Sequence, residues 1–185
     1  MKKIKIEEDK LFFYSKSKDL PAGKGVNEVV NDPSEYEELN SIKNWRHVLS
    51  NFHEETFEFE GRLFKSIEHA FQAYKLAIVD PNMLDLFAYN DSKNEDEHIG
   101  NQSSLNARKN RKLIKLNQDQ LKTWDSKKEK FLLDVSTAKF KSSADSRKVL
   151  LATKNAQLFH IESRKKIHTR FIHLEILRLS LKSKS

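Results

Sequence analysis

Glu68, Gln72 and Lys75 are the residues whose types and spacing most directly suggest chemistry in this chain. They follow Ser66, a good N-cap, and recur at i, i+4 and i+7, so a helix would place them in one column. The predicted apolar stripe of the same helix, beside that column, consists of Ile67, Phe71, Tyr74 and Ile78. The sequence thus predicts an acid, an amide and an amine next to the core. The solvated flank of an ordinary amphipathic helix has the same pattern, and both interpretations are open at this point.

The stretch before this helix predicts a short turn followed by a β-hairpin. Apolar and charged residues alternate from Phe57 to Phe64, and Glu60-Gly61 is a suitable reversal between two strands. The turn, Ser50-Asn51-Phe52, precedes them. Turn, hairpin and helix therefore form one continuous stretch, from Leu49 to Lys75, around which we expect the rest of the chain to be arranged.

Length and composition predict one domain with a sizeable core. The chain has 185 residues, of which 37% are hydrophobic, and twelve Phe against four Gly and three Pro favour regular elements, mostly helices. There is no cysteine, which excludes a disulfide framework, a cysteine nucleophile and a thiolate metal site. The seven histidines show no metal-ligand spacing, and neither a metal nor another cofactor is expected.

The hydropathy pattern predicts a protein without a membrane span. The first ten residues lack the apolar run of a signal peptide, and no stretch approaches about 18 consecutive apolar residues. We therefore expect an intracellular, cytoplasmic protein, or a nuclear one if the source is a eukaryote or its virus.

Charge is distributed unevenly along the chain. The net charge is +7, but residues 1–60 carry 9 Lys and Arg against 13 Asp and Glu, whereas residues 105–130 carry 9 against 3. A basic segment favours contact with phosphate, either in a nucleic-acid backbone or in a nucleotide diphosphate. A solvated helix whose long side chains cover apolar surface has the same composition, so both interpretations are kept.

Residues 11–28 predict a buried strand and then a tight loop. The strand is Leu11 to Tyr14, and Gly23-Lys24-Gly25 lies in a loop, residues 21–25, that must turn sharply. Two glycines around a lysine let backbone N–H groups approach a phosphate, although most such loops are only turns. Further along, Arg46 can clamp a diphosphate through two hydrogen bonds, and Trp45 can pack in the core or stack on a base.

The second half of the chain predicts further helices and a strand. Trp124-Asp125 is expected to precede a helix that begins at Glu129 and packs on the Glu68 helix. A strand follows from Gln157 to Ile161. The last helix, from residue 170 onward, is apolar on most sides and is expected to be buried.

Three spaced motifs resemble the NADAR (YbiA-like) family. They are a Ser-Asn-Phe turn at 50–52, a Phe-x-x-x-Gly hairpin at 57–61 and a Glu-His-x-x-Gln-x-x-Lys helix at 68–75, in the family's order. The resemblance covers about residues 12–178. It implies an α+β, mainly α-helical fold: a single YbiA-like domain with a small β component at residues 12–180, after a lead-in of residues 1–11. The acidic and polar residues 90–104 are expected to form a mobile loop within it.

The two ends of the chain resemble the phage, viral and eukaryotic branch of that family. Phe13-Tyr-Ser-Lys16 is followed by Pro-x-Gly-Lys-Gly-x-x-Glu28, and Arg164 and Arg170 lie near the other end. In that branch the opening strand and loop line the ligand pocket, which implies that Ser15, Lys16, Lys24 and Glu28 lie near it. The chain lacks the Trp-Gly ending of the bacterial YbiA branch, which argues against a small riboflavin-pathway substrate.

The resemblance implies an N-glycosidase. Some members cleave riboflavin-pathway intermediates, and others remove ADP-ribose from the amino group of guanine in nucleic acid. We expect the second activity, with ADP-ribosylated guanine in DNA or RNA as the partner, ADP-ribose as the product, and no membrane. A riboflavin-pathway glycosidase and a non-catalytic module that binds ADP-ribose or nucleic acid are the alternatives.

Two chemical routes to bond cleavage are open. Glu68 lies at a helix N-terminus, where the dipole favours the carboxylate, so we expect a stabiliser or a base rather than a general acid unless burial outweighs the dipole. Alternatively, a lysine of lowered pKa forms a Schiff base with the ring-opened ribose, and Lys16 and Lys139 are the preferred candidates. The predicted catalytic residues are Glu68, Lys16 and Lys139. The predicted substrate-binding residues are Ser15, Gly23, Lys24, Gly25, Glu28, Trp45, Arg46, Asn51, Phe52, His69, Gln72 and Trp124.

Overall fold

The computed structural model of the chain describes residues 8–162 and 167–183. The first seven residues of the predicted lead-in and Arg164 lie outside the described residues. The α-helices are α1 Glu37–Asn40, α2 Trp45–Val48, α3 Ile67–Leu76, α4 Met83–Phe87, α5 Ser104–Lys109, α6 Gln118–Ser142, α7 Ala144–Ala152 and α8 Ile172–Lys182. The 3-10 helices are Pro33–Tyr36, Ile99–Asn101 and Asn110–Lys112. The strands are β1 Lys10–Phe13, β2 Phe57–Phe59, β3 Arg62–Phe64, β4 Gln157–Glu162 and β5 Ile167–Arg170.

The chain divides into two compact units. The first comprises residues 1–50 and 144–185, and the second comprises residues 51–143. In the part of the chain that the structure describes, no helix is both long and apolar enough to cross a membrane.

The first unit is built on a three-stranded sheet with the order β1-β4-β5. Strand β1 runs parallel to β4, with Phe12 paired to Phe159 and their rings stacked at 5.0 Å, and β4 runs antiparallel to β5. Leu11, Phe13 and Leu158 are fully buried because their side chains point to the core face of the sheet. The strands predicted at Leu11 to Tyr14 and at Gln157 to Ile161 are confirmed to within one residue at each end.

Helix α8 differs from its prediction as a helix buried on most sides. Leu174 and Leu177 are 1% exposed, but Ile172, Ile176 and Leu179 are 53%, 48% and 61% exposed. The three exposed residues lie at i, i+4 and i+7 and therefore form one face. The sequence suggested complete burial because apolar residues occur all round this helix, whereas the fold covers only one side of it.

The second unit opens with the predicted hairpin. Strands β2 and β3 pair antiparallel, with Phe57 opposite Phe64 and Phe59 opposite Arg62. The two turn residues, Glu60 and Gly61, have φ values of 49° and 76°. Positive φ at both positions is what a type I′ turn needs to join two right-twisted strands, so the predicted reversal is confirmed.

Helix α3 begins at the predicted N-cap but turns a different face inward. The Ser66 hydroxyl accepts a hydrogen bond from the backbone N–H of His69, which confirms the cap. Phe71 and Tyr74, expected in the buried stripe, are only half-buried, whereas Glu68 and Gln72 are 7% and 4% exposed. The small residues of α3, Ala70 and Ala73, are fully buried and allow close packing, so Glu68 and Gln72 lie inside the unit, whereas Lys75 is half-buried.

Helix α6 corrects the predicted boundary at Glu129. It runs for 25 residues from Gln118, and Trp124 lies within it rather than before it. Asn117 and Gln120 form a reciprocal capping box at its start, with hydrogen bonds of 2.9 and 2.8 Å. The predicted packing of this helix on α3 is observed, and α6 also packs against β2.

Residues 90–104 combine an exposed part with an anchored part. Residues 91–97 are exposed, whereas residues 99–101 are buried in a short 3-10 helix. The Asn101 side chain donates hydrogen bonds of 2.6 Å to the carbonyl oxygens of Asn90 and Lys93, which closes the loop on itself. The mobility of this segment stays a prediction.

Candidate active site

Glu68 lies in the first turn of α3 with its carboxyl group buried. Its backbone N–H donates to the carbonyl oxygen of Asn51 at 2.9 Å, and its Oε1 accepts from Gln72 Nε2 at 2.7 Å. Burial raises the pKa of Glu68 to about 7, and this effect exceeds the opposing ones of the Gln72 hydrogen bond and of Arg108, Arg111 and Lys75, which lower the pKa. Glu68 can therefore carry a proton near neutral pH, as a general acid must.

Lys139 is a fully buried lysine on α6. It is 0% exposed, and its Nζ donates to the carbonyl oxygen of His53 at 3.0 Å. Burial lowers the pKa of Lys139 to about 7, which the negative charge of Glu55 offsets only in part. A large fraction of its amine is therefore neutral and nucleophilic at neutral pH.

Segment 51–53 accepts hydrogen bonds from the backbone N–H of Glu68 and from the side chain of Lys139. Asn51 accepts from the backbone of Glu68, and His53, two residues further on, accepts from the Lys139 ammonium group. Two residues of extended chain span about 7 Å at most. Segment 51–53 therefore fixes the start of α3 and the amine of α6 to neighbouring points of one short loop.

Two amide oxygens beside this loop lack a donor. Asn51 Oδ1 and Gln72 Oε1 are buried and accept no hydrogen bond within the described residues. An unmatched buried acceptor costs about 1–3 kcal/mol, so such groups commonly mark the place of a ligand. Both can accept from the hydroxyl groups of a sugar.

His69 is held entirely by protein groups. Its Nδ1 lies 2.8 Å from Ser66 Oγ, and its Nε2 lies 3.2 Å from the carbonyl oxygen of Gln102. Burial lowers the pKa of His69 to about 4, so the ring is neutral, with Nε2–H donating to Gln102 and Nδ1 accepting from Ser66. In the structure His69 ties α3 to residue 102, and its predicted contact with substrate stays a prediction.

Trp124 and Phe52 have different environments. Trp124 is 4% exposed, and its ring packs edge-on against Phe71 at 5.0 Å and near Phe131 at 5.4 Å. Phe52 is half-buried, with the Arg108 guanidinium 5.5 Å from its ring centroid. Of the two, Phe52 has the more accessible ring for stacking.

In the first unit, Glu28 occupies the centre of the predicted phosphate loop. Its carboxylate accepts from the backbone N–H groups of Gly23 and Gly25, both at 2.9 Å, and from that of Phe12 at 3.1 Å. Arg46 donates to both Glu28 oxygens, at 2.9 and 2.8 Å. A protein carboxylate therefore already binds the N–H groups that were expected to face a phosphate.

Arg46 and Trp45 are structural in this arrangement. Arg46 is 3% exposed and also donates to the carbonyl oxygens of Leu20 and Pro21, and its guanidinium lies 4.0 Å from the Trp45 ring centroid. Trp45 is 1% exposed, which agrees with core packing. A direct contact of Arg46 with a diphosphate stays a prediction, and it requires the ion pair with Glu28 to open.

The remaining predicted residues of the first unit are more accessible. Lys16 and Lys24 are exposed, and Ser15 and both loop glycines are half-buried. Gly23 has a φ of 83°, which only glycine adopts without strain, and a Cβ on Gly25 would meet the Glu28 carboxylate at 2.7–2.9 Å. Both glycines thus shape the loop around Glu28.

One set of basic residues was not predicted to form a site, although the basic run that contains them is visible in the sequence. Arg111, Lys112 and Lys115 line one groove together with Lys75.

The described residues contain no group of three or more His, Cys, Asp or Glu placed to hold a metal ion.

Comparison with known proteins identifies the fold and the family. The solution structure of the Escherichia coli protein YbiA matches 97% of this chain and 89% of its own chain, with a TM-score of 0.54 and 19% sequence identity. The predicted α+β, mainly helical, YbiA-like fold is therefore confirmed, whereas the branch within the family stays a prediction. A search of curated proteins gave no significant match. The NADAR domain matches residues 36–169, which is most of the chain, and the protein therefore belongs to the NADAR family.

Proposed function

We propose that this protein is an N-glycosidase that removes ADP-ribose from the amino group of guanine in nucleic acid. The NADAR family is associated with glycosidase activity. The observation that carries the proposal for this chain is that one short segment, 51–53, accepts hydrogen bonds from the backbone N–H of a buried acid, Glu68, and from the Nζ of a buried amine, Lys139, each with a pKa of about 7.

The two groups supply what cleavage of an amino-linked sugar requires. After the ribose ring opens, Lys139 Nζ forms a bond to the anomeric carbon, and the bond from that carbon to the guanine amino nitrogen breaks. Glu68 delivers a proton to the departing nitrogen. Water then adds to the resulting imine, which releases ADP-ribose and the free lysine. In the simpler alternative, Glu68 acts with water alone and no covalent intermediate forms.

Burial favours Lys139 over Lys16 as the nucleophile. Lys16 is exposed, whereas Lys139 is fully buried and has a lowered pKa. We assign ribose hydroxyl groups to the unmatched oxygens of Asn51 and Gln72, since a hydroxyl is the donor they lack.

For the remainder of the ligand we keep the predicted contacts as proposals. Stacking on a base was predicted for Trp45 or Trp124; Trp45 is 1% exposed, and we add Phe52, whose ring is more accessible than that of Trp124. Contact of a diphosphate with the first unit, through Ser15, Lys16, Gly23, Lys24, Gly25, Glu28, Trp45 and Arg46, stays a prediction in its own right, and it requires the Glu28–Arg46 ion pair to open.

Replacement of Glu68 by Gln tests the catalytic acid. We expect release of ADP-ribose from an ADP-ribosylated guanine oligonucleotide to fall by about 10²–10⁴-fold, because an amide cannot donate the proton. Glu58→Gln is the matched control, since Glu58 is an exposed carboxylate of β2. Retained activity in a folded Glu68→Gln variant would remove this residue from the mechanism.

Borohydride reduction during turnover tests the imine route. We expect a covalent ADP-ribose adduct on the wild-type chain, located at residue 139 by peptide mass spectrometry, and none on Lys139→Met. Lys127→Met is the control, because Lys127 is an exposed lysine on the same helix. Product formation without any adduct would favour direct hydrolysis, and tight binding of ADP-ribose without product would indicate a binding module.

A further inference from the structure

An open groove of about 390 Å³ lies in the second unit beside the C-terminal end of α3. Its walls come from α3, from the connection between α5 and α6, and from the first turn of α6. The lining residues are Lys75, Arg111, Lys112, Ile114, Lys115, Leu116 and Leu121. Four of these seven side chains are cationic, and the other three are apolar.

The four cations lie within ion-pair distance of no carboxylate in the part of the chain that the structure describes. Lys75, Arg111, Lys112 and Lys115 form no ion pair or side-chain hydrogen bond with any residue that the structure describes. Other lysines of the same unit do, since Lys122, Lys128 and Lys130 lie 3.5, 3.7 and 2.5 Å from aspartates of α6. The groove therefore concentrates positive charge, whereas Lys122, Lys128 and Lys130 of α6 are paired with aspartates.

The apolar residues give the groove a second property. Leu121 is 38% exposed, and it lines the groove together with Ile114 and Leu116. A small anion makes no use of such a surface. A nucleic-acid strand does, because its phosphates can follow the cations while its sugars or bases cover apolar side chains.

The groove lies near the proposed chemistry. Lys75 is seven residues after Glu68 on α3, which corresponds to about 10 Å of helix rise. Arg111 also lies close enough for its charge to act on the Glu68 carboxyl group. A distance of about 10 Å corresponds to roughly three nucleotide steps of a stacked strand, at about 3.4 Å each.

We propose that this groove binds the phosphate backbone of the nucleic-acid strand that carries the modified guanine. This inference rests on the proposed function. It explains a preference for a polymeric substrate, because the phosphates of nucleotides next to the target bind to Lys75, Arg111, Lys112 and Lys115. The contacts are to phosphate and apolar surface, so the groove selects a strand without reading its sequence.

Binding of an unmodified single-stranded oligonucleotide tests the groove independently of catalysis. Fluorescence anisotropy over a range of salt concentrations compares the wild type with the triple variant Arg111→Gln, Lys112→Gln, Lys115→Gln. We expect weaker binding and a log K against log salt slope that is shallower by about 2, since each lost phosphate contact removes about 0.7. The matched control is Lys122→Gln, Lys128→Gln, Lys130→Gln, which removes the same charge from α6 and should keep more of the slope.

Calorimetry with ADP-ribose separates the two sources of phosphate. We expect the groove variant to bind ADP-ribose within about twofold of the wild type. An equal loss of ADP-ribose and strand binding would overturn the proposal by assigning the groove to the ligand's diphosphate. Equal strand binding by the wild type and the groove variant, or an equal loss in the control variant, would also overturn it. Glycosidase activity without groove-dependent strand binding would overturn the groove proposal and support the proposed function. Groove-dependent strand binding without glycosidase activity would support the groove proposal and overturn the proposed function.

Discussion

At the scale of single residues, Glu68 and Lys139 are placed where folding disfavours their charged forms. Burial raises the pKa of the Glu68 carboxyl group and lowers the pKa of the Lys139 amine, each to about 7, because keeping either charge in the interior costs free energy. Hydrophobic residues of similar size would cost less at either position. Two such costly groups, both bound to segment 51–53, are better explained by chemistry than by stability.

Lys139→Met should stabilise the protein in a pH-dependent way. The folded pKa of about 7 is below the unfolded value of about 10.5, so the unfolded chain binds more protons between these values, and wild-type stability rises with pH across that window. The variant lacks this cost. Its gain in free energy of unfolding, up to several kcal/mol, should be largest below pH 7 and shrink toward pH 10.

Urea unfolding at pH 6, 8 and 10 measures this effect. Lys127→Met, at an exposed position of the same helix, should change stability by less than about 0.5 kcal/mol at every pH. A gain that is independent of pH would mean that Lys139 is not the group with the lowered pKa.

At the scale of elements, a short loop in each unit holds groups of other segments in place. Segment 51–53 fixes the start of α3 and the amine of α6, and loop 21–25 closes around the carboxylate of Glu28. In both cases backbone groups of a loop bind groups of other segments. The geometry of each loop therefore depends on a few hydrogen bonds.

Glu28→Ala should destabilise the protein by about 3–5 kcal/mol. The change leaves the buried Arg46 guanidinium without its carboxylate and frees the N–H groups of Gly23 and Gly25. Chemical denaturation measures the loss. Glu37→Ala, at an exposed position of α1, is the control and should cost much less. A small effect at Glu28 would mean that the loop does not depend on this ion pair.

Arg111→Gln should move the pH dependence of turnover. The positive charge of Arg111 lowers the pKa of Glu68, so its removal raises that pKa and keeps the carboxyl group protonated to higher pH. The basic limb of the kcat profile should shift upward in pH, with Lys122→Gln as a control that leaves it in place. A shift to lower pH would contradict the role of Glu68 as a general acid.

At the scale of the whole molecule, the NADAR match and the YbiA-like fold extend over most of the chain. Part of the positive charge of residues 105–130 lies in one groove, whose cations form no ion pair within the described residues. Charge arranged in this way attracts a polyanion from a distance and releases it at high salt.

ADP-ribose should stabilise the folded chain if it is the product of the reaction. At a concentration of about 100 times Kd, linkage predicts about 2.7 kcal/mol, or a rise in Tm of several degrees for a chain of this length. Differential scanning calorimetry measures the shift, with ribose 5-phosphate at the same concentration as the comparison. A larger shift with ribose 5-phosphate would favour the riboflavin-pathway alternative.

The sequence by itself determined the features that depend on neighbouring residues. Ser66 caps α3, and Glu60-Gly61 forms the turn of the hairpin. A helix cap and a tight turn depend only on residues close to them in the sequence. The motifs also identified the family and directed attention to Glu68 and Lys139.

The tertiary structure alone decided how those residues are used. Desolvation by distant segments gave Glu68 and Lys139 their pKa values near 7, and it could not be read from a column of charged residues on one helix. The same holds for Arg46, whose partner Glu28 is 18 positions away, and for the groove, which joins Lys75 to residues 111–121. Burial and charge pairing depend on which segments meet in space, and local sequence patterns do not specify those meetings.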